Sequence, residues 1–113
     1  GTVVPLGVAT ATFQTPDGKA VANGRWQWKL SFDALNLSIS CVVPTLISGK
    51  LDTGGNMTAT LAFNSVLQTM LGYNTTYQLT VKDFAGKQVW NENYYLTGTA
   101  ANLNLIAPGG GVL

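Results

Sequence analysis

The sequence predicts an all-β protein, an antiparallel β-sandwich of about seven strands. Apolar and polar residues alternate with a period of two in several short blocks, which is typical of strands with one buried face. Clusters of Gly, Pro, Asn and Asp separate these blocks and favour turns. No amphipathic helix of ten or more residues lies between the blocks, so a parallel sheet with helical connections is not expected.

The clearest predicted strand covers residues 25–32. Trp26, Trp28 and Leu30 share one of its faces, so we expect both tryptophans to lie in the core. Polar residues occupy the other face. The other predicted strands cover residues 8–14, 35–43, 46–51, 56–63, 75–83 and 87–96.

Residues 64–73 interrupt the β pattern. Their apolar side chains follow spacings of one, three and four residues, which predicts one short helical turn near 64–73 with Asn64 or Ser65 as its N-cap. Such a short helix needs tertiary contacts for its stability. We therefore expect it to close one end of the sandwich.

The 113 residues are predicted to form a single domain over residues 1–107, in which residues 1–7 are an N-terminal arm. Residues 108–113 are interpreted as a Gly-rich tail or linker. No apolar stretch approaches the roughly 20 residues of a membrane span, so no membrane insertion is expected.

Charged residues are few, at 10% of the chain, and the net charge is +1. Nucleic-acid binding depends on clustered cations. The basic residues are scattered along the sequence, so we expect no nucleic-acid partner. They are Lys19, Arg25, Lys29, Lys50, Lys82 and Lys87.

The sequence predicts no enzyme, with no catalytic residue, metal site or cofactor. It contains no histidine, the commonest general base and a frequent zinc ligand. Cys41 lies in an apolar run and is expected to be a small buried hydrophobe. Oxygen ligands for calcium could come from residues 52–56, but a hairpin turn explains the same residues better.

Three aromatic residues near the last predicted strand are candidate contact residues. Alternation places Trp90 and Tyr94 on one face and Tyr95 on the other. At least one of them is therefore expected near solvent or in an interface, where Trp and Tyr are favoured. They are candidates for contact with a partner protein or with a glycan.

Three segments resemble parts of known sandwiches. Residues 77–90 resemble the last hairpin of immunoglobulin-like and transthyretin-like sandwiches, residues 15–24 are similar to their first loop, and residues 54–61 resemble their central hairpin. Taken in their order along the chain, and followed by a Pro/Gly tail, the three segments resemble domains from tail-fibre, baseplate and capsid-decoration proteins of tailed bacteriophages. The resemblance implies an immunoglobulin-like fold.

The resemblance and the composition together favour a non-enzymatic structural or interaction protein of a bacteriophage particle. Such a protein would be located in the virion and would contact other virion proteins and copies of itself as a homo-oligomer. The alternative is a carbohydrate-binding or adhesion module of a secreted or surface protein, extracellular or at the cell surface, that binds glycans such as those of a host. A spacer between domains of a bacterial surface protein is a third hypothesis.

Overall fold

The structure is a computed structural model that describes residues 5–31, 34–36, 41–43, 46–72 and 74–105. Within these residues the chain forms nine strands, one α-helix and a final 3-10 turn. The helix α1 is Asn64–Leu71, and the 3-10 turn is Leu103–Leu105. The strands are β1 (Gly7–Thr12), β2 (Arg25–Leu30), β3 (Ala34–Asn36), β4 (Cys41–Val43), β5 (Leu46–Lys50), β6 (Asn56–Leu61), β7 (Tyr77–Lys82), β8 (Gln88–Tyr94) and β9 (Ala100–Asn102).

Seven of these strands form two sheets, in the orders β6-β1-β9 and β5-β2-β7-β8. The buried faces of both sheets belong to one hydrophobic core, so the predicted all-β sandwich is confirmed. Within the two sheets one pairing departs from the antiparallel expectation: β9 runs parallel to β1, with Ala9 opposite Ala101. Strands β3 and β4 form a separate two-stranded sheet.

The two sheets contribute residues of different size to the core. The inner face of the three-stranded sheet is rich in alanine, whereas the four-stranded sheet supplies large aromatic side chains. Small residues opposite large ones allow two sheets to interdigitate at native density. Trp26 and Trp28 are both buried, as the alternation predicts. The alanines are Ala9, Ala11, Ala59 and Ala101, and the aromatic residues are Trp26, Trp28, Tyr77 and Tyr94.

Two aromatic residues of the four-stranded sheet make contacts that organise its inner face. Trp28 on β2 is fully buried, and its ring packs edge-on against that of Tyr77 at a centroid distance of 5.7 Å. The Tyr77 hydroxyl, at the start of β7, donates a hydrogen bond of 2.7 Å to the carbonyl oxygen of Ala62. That bond links the residue that follows β6 of one sheet to β7 of the other.

The single strand predicted for residues 35–43 is wrong, because the chain reverses within it. Asn36 lies opposite Cys41 in the antiparallel pair β3–β4. A period of two continues unchanged through a tight reversal, so alternation alone does not reveal the turn. Residues 37–40 lie outside the described residues, and the burial expected for Cys41 lies outside the described side chains.

The helix predicted near 64–73 is confirmed, but its expected cap is not. The N-cap residue is Phe63, and no side chain caps the helix. The helix ends at Gly72, which has a φ of +83° and donates its N–H to the carbonyl oxygen of Gln68. The helix connects β6 of one sheet to β7 of the other.

Both ends of the predicted domain fall partly outside the described part of the chain. Residues 1–4 of the expected arm and the tail at 108–113 are not described. Residues 5 and 6 lead into β1, and Gly7 is already part of that strand. Among the described residues, no helix is both long and apolar enough to cross a bilayer.

Candidate functional site

The three aromatic candidates do not form one surface. Tyr94 is only 2% exposed, and its ring packs edge-on against Trp28 with a centroid distance of 5.9 Å. Its hydroxyl accepts a hydrogen bond of 3.2 Å from Trp90 Nε1. Burial raises the pKa of Tyr94. Tyr94 is therefore a core residue, and in this structure its side chain is not placed at the surface as a candidate contact residue would be.

Trp90 and Tyr95 retain surface exposure but on different sides of the strand. Trp90 is 36% exposed, and its ring tilts against that of Phe13 at a centroid distance of 6.2 Å. The Tyr95 hydroxyl, which is near the surface, donates to Asn74 Oδ1 at 3.4 Å. Trp90 and Tyr95 are not neighbours on the surface. The three candidates therefore do not form the aromatic platform on which a sugar could stack.

Strand β8 is an edge strand whose inner face is only partly covered. Glu92 lies opposite the buried Leu79 and is in phase with buried Tyr94, yet it is exposed. An inward-pointing charge on an edge strand discourages pairing with the edge of another sheet. The free edge at β8 is therefore poorly suited to strand addition.

The outer face of the three-stranded sheet, here called the neutral face, carries no charged side chain. Val8 is 37% exposed, and Leu6 continues the same alternation just before β1. The outward residues are otherwise small and uncharged. The neutral face consists of Val8, Thr10, Thr12, Asn56, Thr58, Thr60, Ala100 and Asn102.

Several polar groups on the neutral face already have partners within the chain. Thr12 Oγ1 donates to Asn56 Oδ1 at 2.7 Å, and Thr10 Oγ1 donates to the Ala101 carbonyl oxygen at 3.4 Å. Polar groups bonded in this way lose less free energy when water is removed from them. A neighbouring molecule can therefore cover this face at low cost.

An apolar groove continues the neutral face at the end where β1 and β9 begin. Pro5, Val66 and Met70 line it together with Thr99, which precedes β9. Its volume is about 530 Å³. The groove thus lies between helix α1 and the segments that lead into β1 and β9, and its lining residues are uncharged.

The outer face of the four-stranded sheet, here called the basic face, has the opposite character. Four of the six cations lie on it, although they are far apart in the sequence. Strand register brings them together, because Arg25 lies directly opposite Lys50 on one side and Lys82 on the other. Cations that are scattered along the sequence are therefore clustered on one face of the sheet. The four cations are Arg25, Lys29, Lys50 and Lys82.

A pocket of about 630 Å³ lies at the three-cation row of the basic face. Arg25, Lys50 and Lys82 line it. The rest of the lining includes hydroxyl and amide side chains, those of Gln27, Ser48, Thr80 and Gln88, together with Trp26 and Gly49.

The carboxylates closest in sequence to the pocket cations are engaged in turns. Asp52 Oδ1 accepts the backbone N–H groups of Gly54 and Asn56, at 2.8 and 2.9 Å. The bonds from the Asn56 backbone and side chain lower the pKa of Asp52. Asp83 Oδ1 accepts the backbone N–H of Lys87 at 2.8 Å.

No cation of the basic face forms an ion pair within the described part of the chain. The ion pair found there joins Lys19 Nζ to Asp17 Oδ2 at 3.8 Å, in a loop away from this face. The three-cation row thus has no carboxylate partner among residues 5–31, 46–72 and 74–105.

Two surface features of the structure are not among the predictions from the sequence. The row of three cations on the basic face depends on the register between strands, which the spacing of residues along the sequence does not reveal. Phe84, 83% exposed at the tip of the β7–β8 turn, falls between the strands predicted for residues 75–83 and 87–96. A large apolar residue between Asp83 and Gly86 was the available signal, since turn tips are usually polar.

Groups of three or more His, Cys, Asp or Glu side chains that could hold a metal ion are not found in the described ranges. Comparison with known proteins gives no relative: no protein-family model, no curated protein and no solved structure matches the chain.

Proposed function

We propose that this domain is a non-enzymatic structural or interaction component of a bacteriophage particle, acting through contacts with other virion proteins and with copies of itself. The neutral face carries this proposal. Its outward side chains include none with a charge, on a protein whose opposite sheet presents four cations.

The composition of the neutral face suits a protein–protein interface. The centres of such interfaces are depleted in charged residues and pack at the density of a protein interior. Leu6 and Val8 provide exposed apolar area, and the threonines bring small side chains that allow a close approach. Covering this surface removes apolar area from water without desolvating an ion.

The proposed interface needs more area than the outer face of three short strands provides. A stable interface buries about 800 Å² on each partner, more than such a narrow face offers alone. The groove of Pro5, Val66 and Met70 lies at the end of the sheet where β1 and β9 begin, and its lining adds no charge. We therefore assign the interface to the neutral face and the groove together.

The basic face determines which surfaces can meet. Two copies cannot stack through it without placing like charges against each other, which costs free energy at low ionic strength. The neutral face has no such penalty. Self-association should therefore use the three-stranded sheet. The sequence resemblance to tail-fibre, baseplate and decoration domains supports a phage particle as the setting.

The first experiment is quantitative mass spectrometry of purified particles from the source material. A copy number comparable with that of the major capsid protein supports a decoration component, and a few copies per particle support a fibre or baseplate part. Absence from the particles would overturn the virion assignment.

A second experiment tests the assigned surface. Thr58→Glu places a charge on the neutral face, and Gln27→Glu places the same charge on the basic face as a matched control. In sedimentation velocity, Thr58→Glu should weaken self-association at least tenfold while Gln27→Glu retains it. Equal behaviour of the two variants, or a monomeric wild type at high concentration, would contradict the interface.

A further inference from the structure

We propose that the pocket on the basic face binds an acidic saccharide, a sugar chain that carries carboxylate or sulfate groups. This inference goes beyond the proposed function, because it assigns a ligand to the sheet that the proposed interface leaves uncovered. It also replaces Trp90, Tyr94 and Tyr95 as the place to look for glycan contacts.

The positive charge of the pocket is unbalanced. Like charges directly opposite each other on neighbouring strands destabilise a sheet, and Arg25 has such a neighbour on both sides. The carboxylates closest in sequence, Asp52 and Asp83, are occupied by turn hydrogen bonds. An anionic ligand would supply the counter-charge that the described residues do not.

The cations of the pocket have the chemistry needed to bind an anionic group. The Arg25 guanidinium can hold a carboxylate or a sulfate through two parallel N–H bonds, which adds geometric selectivity to charge attraction. Lys50 and Lys82 flank it across the sheet as point charges. The row therefore fits a ligand with a planar or tetrahedral anionic group at its centre and further negative charge on either side.

The uncharged part of the pocket lining suits a sugar. The volume of about 630 Å³ lies within the range of small-ligand pockets. Gln27, Thr80 and Gln88 present amide and hydroxyl groups beside the cations. These groups both donate and accept hydrogen bonds, as a sugar ring with several hydroxyls requires.

The same face is less suited to a nucleic acid. Proteins that hold single strands combine cations with aromatic rings on which the bases stack. The aromatic residue in the pocket lining is Trp26, which is only 7% exposed and whose ring packs on Gly49, so it offers little surface on which a base could stack. An oligonucleotide is therefore the competing ligand in the test, and the saccharide is the one that the lining favours.

Isothermal titration calorimetry at low ionic strength provides the test, with the whole 113-residue chain. The probes are a galacturonate tetrasaccharide, a sulfated heparin tetrasaccharide, neutral maltotetraose and a short oligodeoxythymidine. We expect binding of at least one acidic tetrasaccharide, none of maltotetraose, and an affinity that falls as salt rises. Binding of the galacturonate chain would show that carboxylates suffice, whereas binding of the heparin chain alone would show that sulfate groups are needed.

Variants separate a specific site from general charge attraction. Arg25→Gln should lower the affinity about tenfold, which corresponds to the loss of one charged hydrogen-bonded contact. Lys19→Gln removes the same charge outside the face and should change the affinity less than about twofold. Thr80→Val keeps all charges and should weaken saccharide binding severalfold without affecting the oligonucleotide.

Three results would overturn the proposal: no binding of either acidic saccharide, tighter binding of the oligonucleotide, or equal losses for Arg25→Gln and Lys19→Gln. Circular dichroism of each variant ensures that a loss of binding is not a loss of fold. Thr58→Glu should retain saccharide affinity, so failure of the interface and failure of the pocket are distinguished.

Discussion

The Asn64 side chain donates a hydrogen bond of 2.9 Å from Nδ2 to Thr75 Oγ1 in the interior of the protein. Both residues are fully buried. Asn64 Oδ1 also accepts the backbone N–H of Leu96 at 2.8 Å. One amide thereby joins the first turn of α1 to the segment before β7 and to the chain that leaves β8. The residue expected to cap the helix instead fixes the helix between the two sheets.

Asn64→Ala should lower the free energy of unfolding by about 2–4 kcal/mol, because it leaves the Leu96 N–H and the Thr75 hydroxyl buried without their partner. Urea unfolding followed by fluorescence measures the change. Asn93→Ala, at an exposed position on β8, is the matched control and should change stability by less than about 0.5 kcal/mol. Equal effects of the two substitutions would show that the buried network contributes nothing.

Gly49→Ala should destabilise the protein through a clash with one ring. A Cβ at this position would overlap the Trp26 indole, which packs directly on the glycine. Overpacking of this kind costs about 1–3 kcal/mol. In a background with Trp26→Leu the same substitution should cost much less, which a double-mutant cycle in urea measures. A full cost in both backgrounds would place the strain elsewhere, and Ser48→Ala serves as the neighbouring control.

Stability should fall above about pH 10 because of Tyr77. Burial raises the pKa of its hydroxyl, which donates to the Ala62 carbonyl oxygen. Since the folded-state pKa lies above the unfolded value near 10, the stabilisation is fully present below pH 10 and is lost as pH rises from there through the folded-state pKa.

Urea midpoints between pH 8 and pH 11.5 measure this loss. Tyr77→Phe should unfold more easily at pH 8 and show a shallower decline at high pH. Tyr95→Phe should keep the wild-type slope. If Tyr77→Phe declined as steeply as the wild type, the loss of stability at high pH would not come from Tyr77.

Arg25→Gln should raise the free energy of unfolding by about 0.5–1 kcal/mol at low ionic strength. The substitution removes two like-charge contacts, with Lys50 and with Lys82. The gain should shrink in 0.5 M salt, where such exposed charges are screened. Thermal unfolding at both salt concentrations, with Lys19→Gln as the control, measures it. A destabilised Arg25→Gln protein at low salt would mean that the row is not repulsive.

Periodicity predicted the parts of the fold that depend on one strand at a time. The faces of β2 and β7, the buried pair Trp26 and Trp28, and the helix after β6 all follow from local spacing. The reversal between β3 and β4 and the parallel direction of β9 depend on which strands pair. Alternation is identical for either direction, so neither could be predicted.

The candidate site was harder to predict for the same reason. Alternation correctly placed Trp90 and Tyr94 on one face, but it does not show that Tyr94 is buried against Trp28 while Glu92, on the same face, is exposed. Arg25, Lys50 and Lys82 are isolated in the sequence and become a row only through register. A set of contacts across three strands cannot be read from residue spacing along one chain.

The parallel pair β1–β9 gives the domain a direction of mechanical resistance. Because the chain enters β1 and leaves β9 at opposite ends of neighbouring strands, tension applied before Gly7 and after Asn102 acts along both strands in opposite senses. The ladder bonds between them, including that from Val8 N–H to the Thr99 carbonyl oxygen, are then sheared together rather than opened one at a time. A pull along the chain is therefore borne by all the β1–β9 bonds at once.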